Sequence, residues 1–235
     1  FALMPNESSA LPAACTDDPW SNNARLGIDT GAPPAIGAPS ACLNPGAGRH
    51  SVAYRGAGGR LHWISVDASG SAHWTDLSEA LRRRGITAAA AGNPFLYVDG
   101  RTNSELLFFR DSDSNIRSIY YSGQVGIDNL SGVARAPSAL GDPVGFYRPG
   151  VDDHHVVYQG VDRHLHLLHC VGEQPITYGG NLTNQGYLPS QRAAGPGAPS
   201  AFFNGRANFV IYRADDGHIM SLSWSEGPSN LDNLT

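Results

Sequence analysis

Not one lysine occurs among the 235 residues; all 16 basic side chains are arginines, so no lysine is available as a nucleophile or Schiff-base amine. Charged residues make up only 16% of the chain, and the net charge is −5. An acidic chain whose single basic cluster is Arg82–Arg84 lacks the footing that phosphate contacts require, so no nucleic-acid partner is expected. No apolar run is long enough to predict a membrane span. There are three cysteines, Cys15, Cys42 and Cys170, and no Cys-x-x-Cys pair, which removes zinc knuckles and thioredoxin-type chemistry. Cys15 and Cys42 are candidates for one disulfide in an exported protein, and Cys170 reads as an inert strand thiol. The chain begins at Phe1, which suggests processing or a fragment of something longer.

Glycine and proline, by contrast, are abundant, at 28 and 16, and they are spread evenly. They punctuate a repeat. Openings of the form Gly-x-Pro stand at Gly37-Ala-Pro39, Gly92-Asn-Pro94, Gly141-Asp-Pro143 and Gly197-Ala-Pro199. Each leads into a short apolar strand and then a second one: Ser51–Arg55, Leu106–Arg110, His155–Gln159 or Phe209–Arg213. A Gly- or Asp-rich turn follows, of the kind that hairpins demand. The third strand is apolar on both faces: Leu61 and Ile64, Ile116 and Ile119, Leu165 and Leu168, Ile219 and Leu222. Each copy closes on Asp76-Leu-Ser, Asn129-Leu-Ser, Asn181-Leu-Thr or Asn233-Leu-Thr.

Four strands per repeat, with the third buried on both sides, predict an all-β protein: a β-propeller of four-stranded antiparallel blades. Residues 1–235 are read as one propeller domain, with repeats at 37–91, 92–140, 141–196 and 197–235. Residues 1–36 are read as a partial copy, in which Ile28-Asp29-Thr30 falls on a closing strand. That makes five blades; four blades with an N-terminal plug, or a slice of a longer propeller, are the alternatives.

Seen against the repeat, several motifs become structural. The three Asn-Leu-Ser/Thr sites match the glycosylation pattern but share a column with Asp76, which predicts a backbone-bonding turn residue. Asp111-Ser-Asp113 resembles a calcium loop, yet Ile116 occupies the position that needs glycine. Ser65–Gly70 resembles a sialidase Asp-box with the wrong spacing. His154, His155, His164 and His166 are close in the chain, but the His166 column also holds Arg117 and Met220, so no metal or other cofactor is expected. What remains are columns that stay polar or aromatic among apolar neighbours. Arg55, Arg110 and Arg213, with Gln159, end the second strand; His62, Arg117 and His166 lie on the third. Tyr121 and Trp224 share a column with Val66 and Cys170, and Trp63 and Trp74 lie near by. Planar donors beside aromatic faces suit the hydroxyls and C–H face of a sugar.

The segment Gly-Asp-Pro…His-His-Val-Val-Tyr-Gln-Gly-Val-Asp-Arg-His-Leu-His resembles the repeats of bacterial and invertebrate propeller lectins. These include fucose-binding propeller lectins and the tachylectin and tectonin groups. The resemblance covers Gly37 to Thr235. It implies a non-catalytic lectin, secreted or extracellular, that binds glycans or glycoproteins in repeated shallow sites between blades and is open to oligomerisation. Cys170 stands where an aromatic is expected, which argues against a site there. The alternatives are a protein-interaction propeller or the accessory domain of a secreted enzyme, with a glycoside hydrolase least favoured, because the acidic residues fall mainly in turns.

Overall fold

A computed structural model describes residues 26–121, 125–184, 193–225 and 230–233. It contains four four-stranded antiparallel sheets, each built from consecutive strands in chain order. Sheet I comprises β1 (Ser40–Asn44), β2 (Arg49–Arg55), β3 (Leu61–Asp67) and β4 (Ala72–Asp76). Sheet II comprises β5 (Phe95–Val98), β6 (Glu105–Arg110), β7 (Ile116–Tyr121) and β8 (Val125–Asn129). Sheet III comprises β9 (Val144–Arg148), β10 (Asp153–Gln159), β11 (Leu165–Val171) and β12 (Thr177–Asn181). Sheet IV comprises β13 (Ser200–Phe203), β14 (Asn208–Arg213), β15 (Ile219–Trp224) and β16 (Asn230–Asn233). The first strands pack side by side in the order β1, β5, β9, β13, so the sheets radiate outward from one line. This is the blade arrangement of a β-propeller.

The double-faced apolar pattern of the third strands now has its cause. Three hydrophobic clusters fill the gaps between successive described blades, and β7 and β11 each feed both of their neighbours, through Ile119 and Leu168 on one side and Ile116 and Leu165 on the other. Ala53, Leu61 and Trp63 of sheet I meet Leu107, Phe109 and Ile119 of sheet II. Phe108 and Ile116 face Val156, Tyr158 and Leu168. Val157, Leu165 and Leu167 face Val210, Tyr212 and Leu222.

Each blade is also tied to the next by backbone. The loop leaving one blade donates to the hairpin turn behind it: Ala90 N to Gly59 O at 2.8 Å, Ala139 N to Ser114 O at 2.7 Å and Ala194 N to Arg163 O at 2.7 Å. Its next residue donates to the carbonyl that ends the second strand ahead: Ala91 N to Arg110 O, Leu140 N to Gln159 O and Gly195 N to Arg213 O. The closing column does the same work inside a blade. Asp76 and Asn129 cap short helices, α2 (Leu77–Arg82) and α3 (Leu130–Val133), by accepting from Glu79 N and Gly132 N. The hydroxyl two positions further on accepts from the first N–H of the third strand: Ser78 from Leu61, Ser131 from Ile116 and Thr183 from Leu165. The Asn-Leu-Ser/Thr column is therefore structural wherever its side chains are described.

The N-terminal reading needs correction. Residues 1–25 lie outside the described residues, and Ile28-Asp29 is not strand: Leu26–Asp29 is a helical turn, α1, with Ile28 exposed. From Leu26 to Pro39 the chain parallels Leu130 to Pro143, and Tyr54 Oη donates to Pro33 O (2.8 Å) as Tyr158 Oη does to Pro137 O (2.7 Å). The segment 26–39 is thus a helix-and-strap connection, because it carries the strap's prolines. The Cys15–Cys42 pairing also lies outside the described residues.

Candidate functional site in the cleft between the second and third blades

Strand parity decides which gap each side chain enters. On the third strand, positions equivalent to His62 and Val66 face the preceding blade, whereas the Arg column on the second strand faces the following one. The two columns also sit at opposite ends of the blade, since Arg55 pairs with Leu61 while Val66 pairs with His50. About five residues at roughly 3.3 Å each separate them, some 16 Å. The arginine donors and the aromatic column therefore do not converge on one pocket.

The columns divide by environment. His62 and His166 are buried, each sandwiched by aromatics: Tyr54 and Trp74 for His62, Tyr158 and Tyr178 for His166. Trp74 Nε1 donates to His62 Nδ1 (3.4 Å), and both ring nitrogens of His166 are engaged, by Tyr178 Oη at 2.8 Å and Asp162 Oδ1 at 2.9 Å. Burial holds the His62 pKa below its ordinary value. Arg117 bonds Asp111, whose carboxylate also accepts from Asp113 N and Asn115 N; the supposed calcium loop is a filled Asx turn. Trp63 is in the core between blades I and II. Arg110 lies 3.7 Å from Asp142, Arg55 stands beside Gly37, and Gln159 Nε2 donates to Ala194 O at 2.5 Å. Arg213 is exposed, and the Tyr121 side chain lies outside the described residues. Trp224 packs on Phe146 and His155 across the gap between blades III and IV. Of the four clustered histidines, His154 turns toward blade II and His155 toward blade IV, so they do not form one site.

An open cleft of about 480 Å³ lies instead between blades II and III. Its floor is apolar, made by Leu106 and Phe108 of β6, Val156 of β10, Leu130 of α3 and Ile176. On one wall stands Tyr120, 41% exposed, directly opposite Gly126 in the β7–β8 pairing. A Cβ built at Gly126 would lie 1.9 Å from the Tyr120 ring, so the ring lies flat over the glycine and presents its other side. Asp128 stands beside it on β8.

The opposite rim is a polar network. Tyr97, stacked on Phe108 at 5.4 Å, bonds His154 Nδ1 through its hydroxyl at 2.6 Å. Burial holds His154 toward its neutral form against the pull of Asp99 and Asp152, and pushes the Tyr97 hydroxyl well above its ordinary pKa. A neutral His154 accepting from Tyr97 carries its proton on Nε2, 3.8 Å from Asp152 Oδ1. Asp152 in turn takes Arg101 Nε at 2.7 Å and Tyr147 Oη at 3.1 Å. Asp99 is committed to its own turn, accepting from Arg101 N and from Thr102, and these bonds outweigh burial to hold its pKa low.

Cys170 explains why the cleft is open here. It occupies the column that faces the preceding blade, where Trp224 fills the equivalent gap between blades III and IV. At the gap between blades I and II, Glu105 stands in the position of His154, and its bidentate pair with Arg49 crosses the space (3.0 and 2.8 Å). The small residue at 170 leaves this space unfilled, so the cavity lies at the column position where the sequence argued against a site. Cys170 is half-buried and lines the cleft, and burial raises its thiol to about 11, so it is not a nucleophile at neutral pH. Tyr120, Asp128 and Tyr97 do not stand out in the sequence, and His154 stands out there only as a candidate metal ligand; the signal available was the cysteine that breaks an aromatic column.

No protein-family model and no curated protein matches the chain. Among solved structures it is similar to the lectin AofleA from Arthrobotrys oligospora, in the form of a triple arginine-to-alanine mutant, with TM-score 0.59 and 12% identity over 83% of this chain and 56% of that one. It is also similar to the fucose-specific Aleuria aurantia lectin, described as a six-bladed β-propeller, with TM-score 0.56 and 13% identity over 83% of this chain and 62% of that one. SapL1, a lectin crystallised with α-methyl fucoside, matches at TM-score 0.51 and 16% identity. These likenesses establish the propeller fold, and they come from the fucose-binding propeller lectins whose repeats the sequence resembles. The chain spans little more than half the length of these lectins.

Proposed function

We propose that this protein is a non-catalytic carbohydrate-binding propeller and that the cleft between blades II and III is its sugar site. The observation that carries this is the Tyr120 ring, laid open over Gly126 above an apolar floor and faced by Asp128, Tyr97 and His154. An aromatic face packs on the C–H side of a pyranose while carboxylate, imidazole and phenol groups meet its hydroxyls. Structures of the Aleuria aurantia lectin and of SapL1 are complexes with α-methyl fucoside, which makes fucosides the first ligands to try. Glycoside hydrolysis needs one protonated carboxyl, and Asp99 at the rim of this cleft is held low rather than raised, which favours binding over hydrolysis. The described gaps are unequal, so this reading has one principal site there rather than one per blade, and avidity would come from linked or clustered copies. Glycans or glycoproteins outside the cell, met by a secreted protein, are the partners proposed.

Calorimetry of the whole chain against α-methyl-L-fucoside and a panel of neutral and acidic monosaccharides tests the proposal. Saturable binding is expected, weakened at least tenfold by Tyr120→Ala and unchanged by Arg213→Ala. No binding to any sugar at millimolar ligand, or equal binding by Tyr120→Ala, would overturn it.

A further inference from the structure

In the other gap, between blades III and IV, Asp153, His155 and His169 share one face of sheet III. Asp153 and His155 are two positions apart on β10, and His169 is the cross-strand partner of His155 on β11. Residues at i and i+2 with the residue opposite point the same way, so three potential ligands converge without any loop. Their ligand atoms lie within 4.8 Å of one another. His155 Nε2 is 2.9 Å from Asp153 Oδ2, and His169 Nδ1 is 3.9 Å from Asp153 Oδ1. Ligands on a tetrahedral zinc, at about 2.0–2.2 Å from the metal, stand about 3.3–3.6 Å apart, within this span.

A second observation singles the set out. The Asp153 side chain is more than nine-tenths buried, yet its Oδ1 has no hydrogen-bond partner, nor has Nδ1 of the equally buried His155. Buried polar atoms are rarely left unmatched, and a cation between the imidazoles would meet Oδ1. Arg148 Nη1 takes the other oxygen, Oδ2, at 3.3 Å and lies over the Phe203 ring, leaving Oδ1 to the site. Phe146 and Trp224 pack on His155 and wall the site in, while His169, 37% exposed, supplies the route from solvent. Burial raises the Asp153 pKa, but the His155 bond and the nearby imidazoles of His155 and His169 outweigh it and keep the group ionised, as a ligand must be.

We propose that Asp153, His155 and His169 form a binding site for a divalent transition ion of the zinc class, with a fourth position open to water. On binding, His155 exchanges its bond to Asp153 for the metal. The mixed nitrogen and oxygen set suits zinc, and cobalt can replace it as a spectroscopic probe.

The test uses the whole chain after treatment with a chelator. Zinc chloride should bind at one equivalent and raise Tm, and cobalt should give the intense visible bands of a tetrahedral complex. His169→Gln, at a partly exposed position, should leave the metal-free Tm unchanged but weaken zinc binding at least tenfold and abolish the cobalt bands. His73→Gln, on the exposed outer strand, should bind as the parent does. The absence of saturable zinc binding, or binding that His169→Gln leaves intact, would overturn the assignment. Sugar binding by the Tyr120 cleft is read separately, so failure of either proposal does not decide the other.

Discussion

At the scale of single residues, the histidines show how burial rather than sequence neighbourhood sets chemistry. His62 and His154 are both pushed toward the neutral form by desolvation. A histidine whose folded pKa is lowered contributes stability that is present above its unfolded value, about 6.5, and is lost as pH falls below it. Thermal melts between pH 7.5 and 5 should therefore show Tm falling below about pH 6.5, and His62→Gln should flatten part of that fall; a Tm independent of pH across the window would refute the assignment. Gly126 is the second residue-scale case. Gly126→Val drives a side chain into the space of the Tyr120 ring, so sugar binding should be lost, with fluorescence or calorimetry as the readout, while the far-ultraviolet spectrum stays that of the parent.

At the scale of the element, each third strand is pinned at its start by a hydroxyl from the segment that closes its own blade. Ser131→Ala leaves the buried Ile116 N–H without its acceptor, and chemical denaturation should show a loss of about 1–3 kcal/mol. The column at 170 and 224 belongs to this scale as well. Cys170→Trp transplants the residue that fills the next gap, and it should close the cleft and abolish sugar binding while the chain still folds. Retained binding in that variant would place the sugar elsewhere.

At the scale of the whole molecule, stability depends on blades that cannot bury their faces alone, held by three apolar seams and by straps of backbone hydrogen bonds. The Tyr158 hydroxyl is one fastening between strap and blade. Tyr158→Phe should cost about 1–2 kcal/mol by leaving Pro137 O unmatched, visible as a drop of roughly 2–8 °C in Tm for a domain of this size.

The repeat grammar by itself determined the architecture: Gly-x-Pro openings, a third strand apolar on both faces and a polar closing residue admit little but radiating four-stranded sheets. It also marked the Asn-Leu-Ser/Thr column as structural, because local capping bonds are written in local sequence. The site was another matter. The sequence shows that Arg110 and Trp224 stand in exceptional columns, but not that these columns point into different gaps at opposite ends of a blade. Which side chains share a cavity depends on strand parity and on what the neighbouring blade offers. Only the packing of blade II on blade III decided that a cysteine opens a cleft, and only the packing of blade IV on blade III walled in Asp153, His155 and His169.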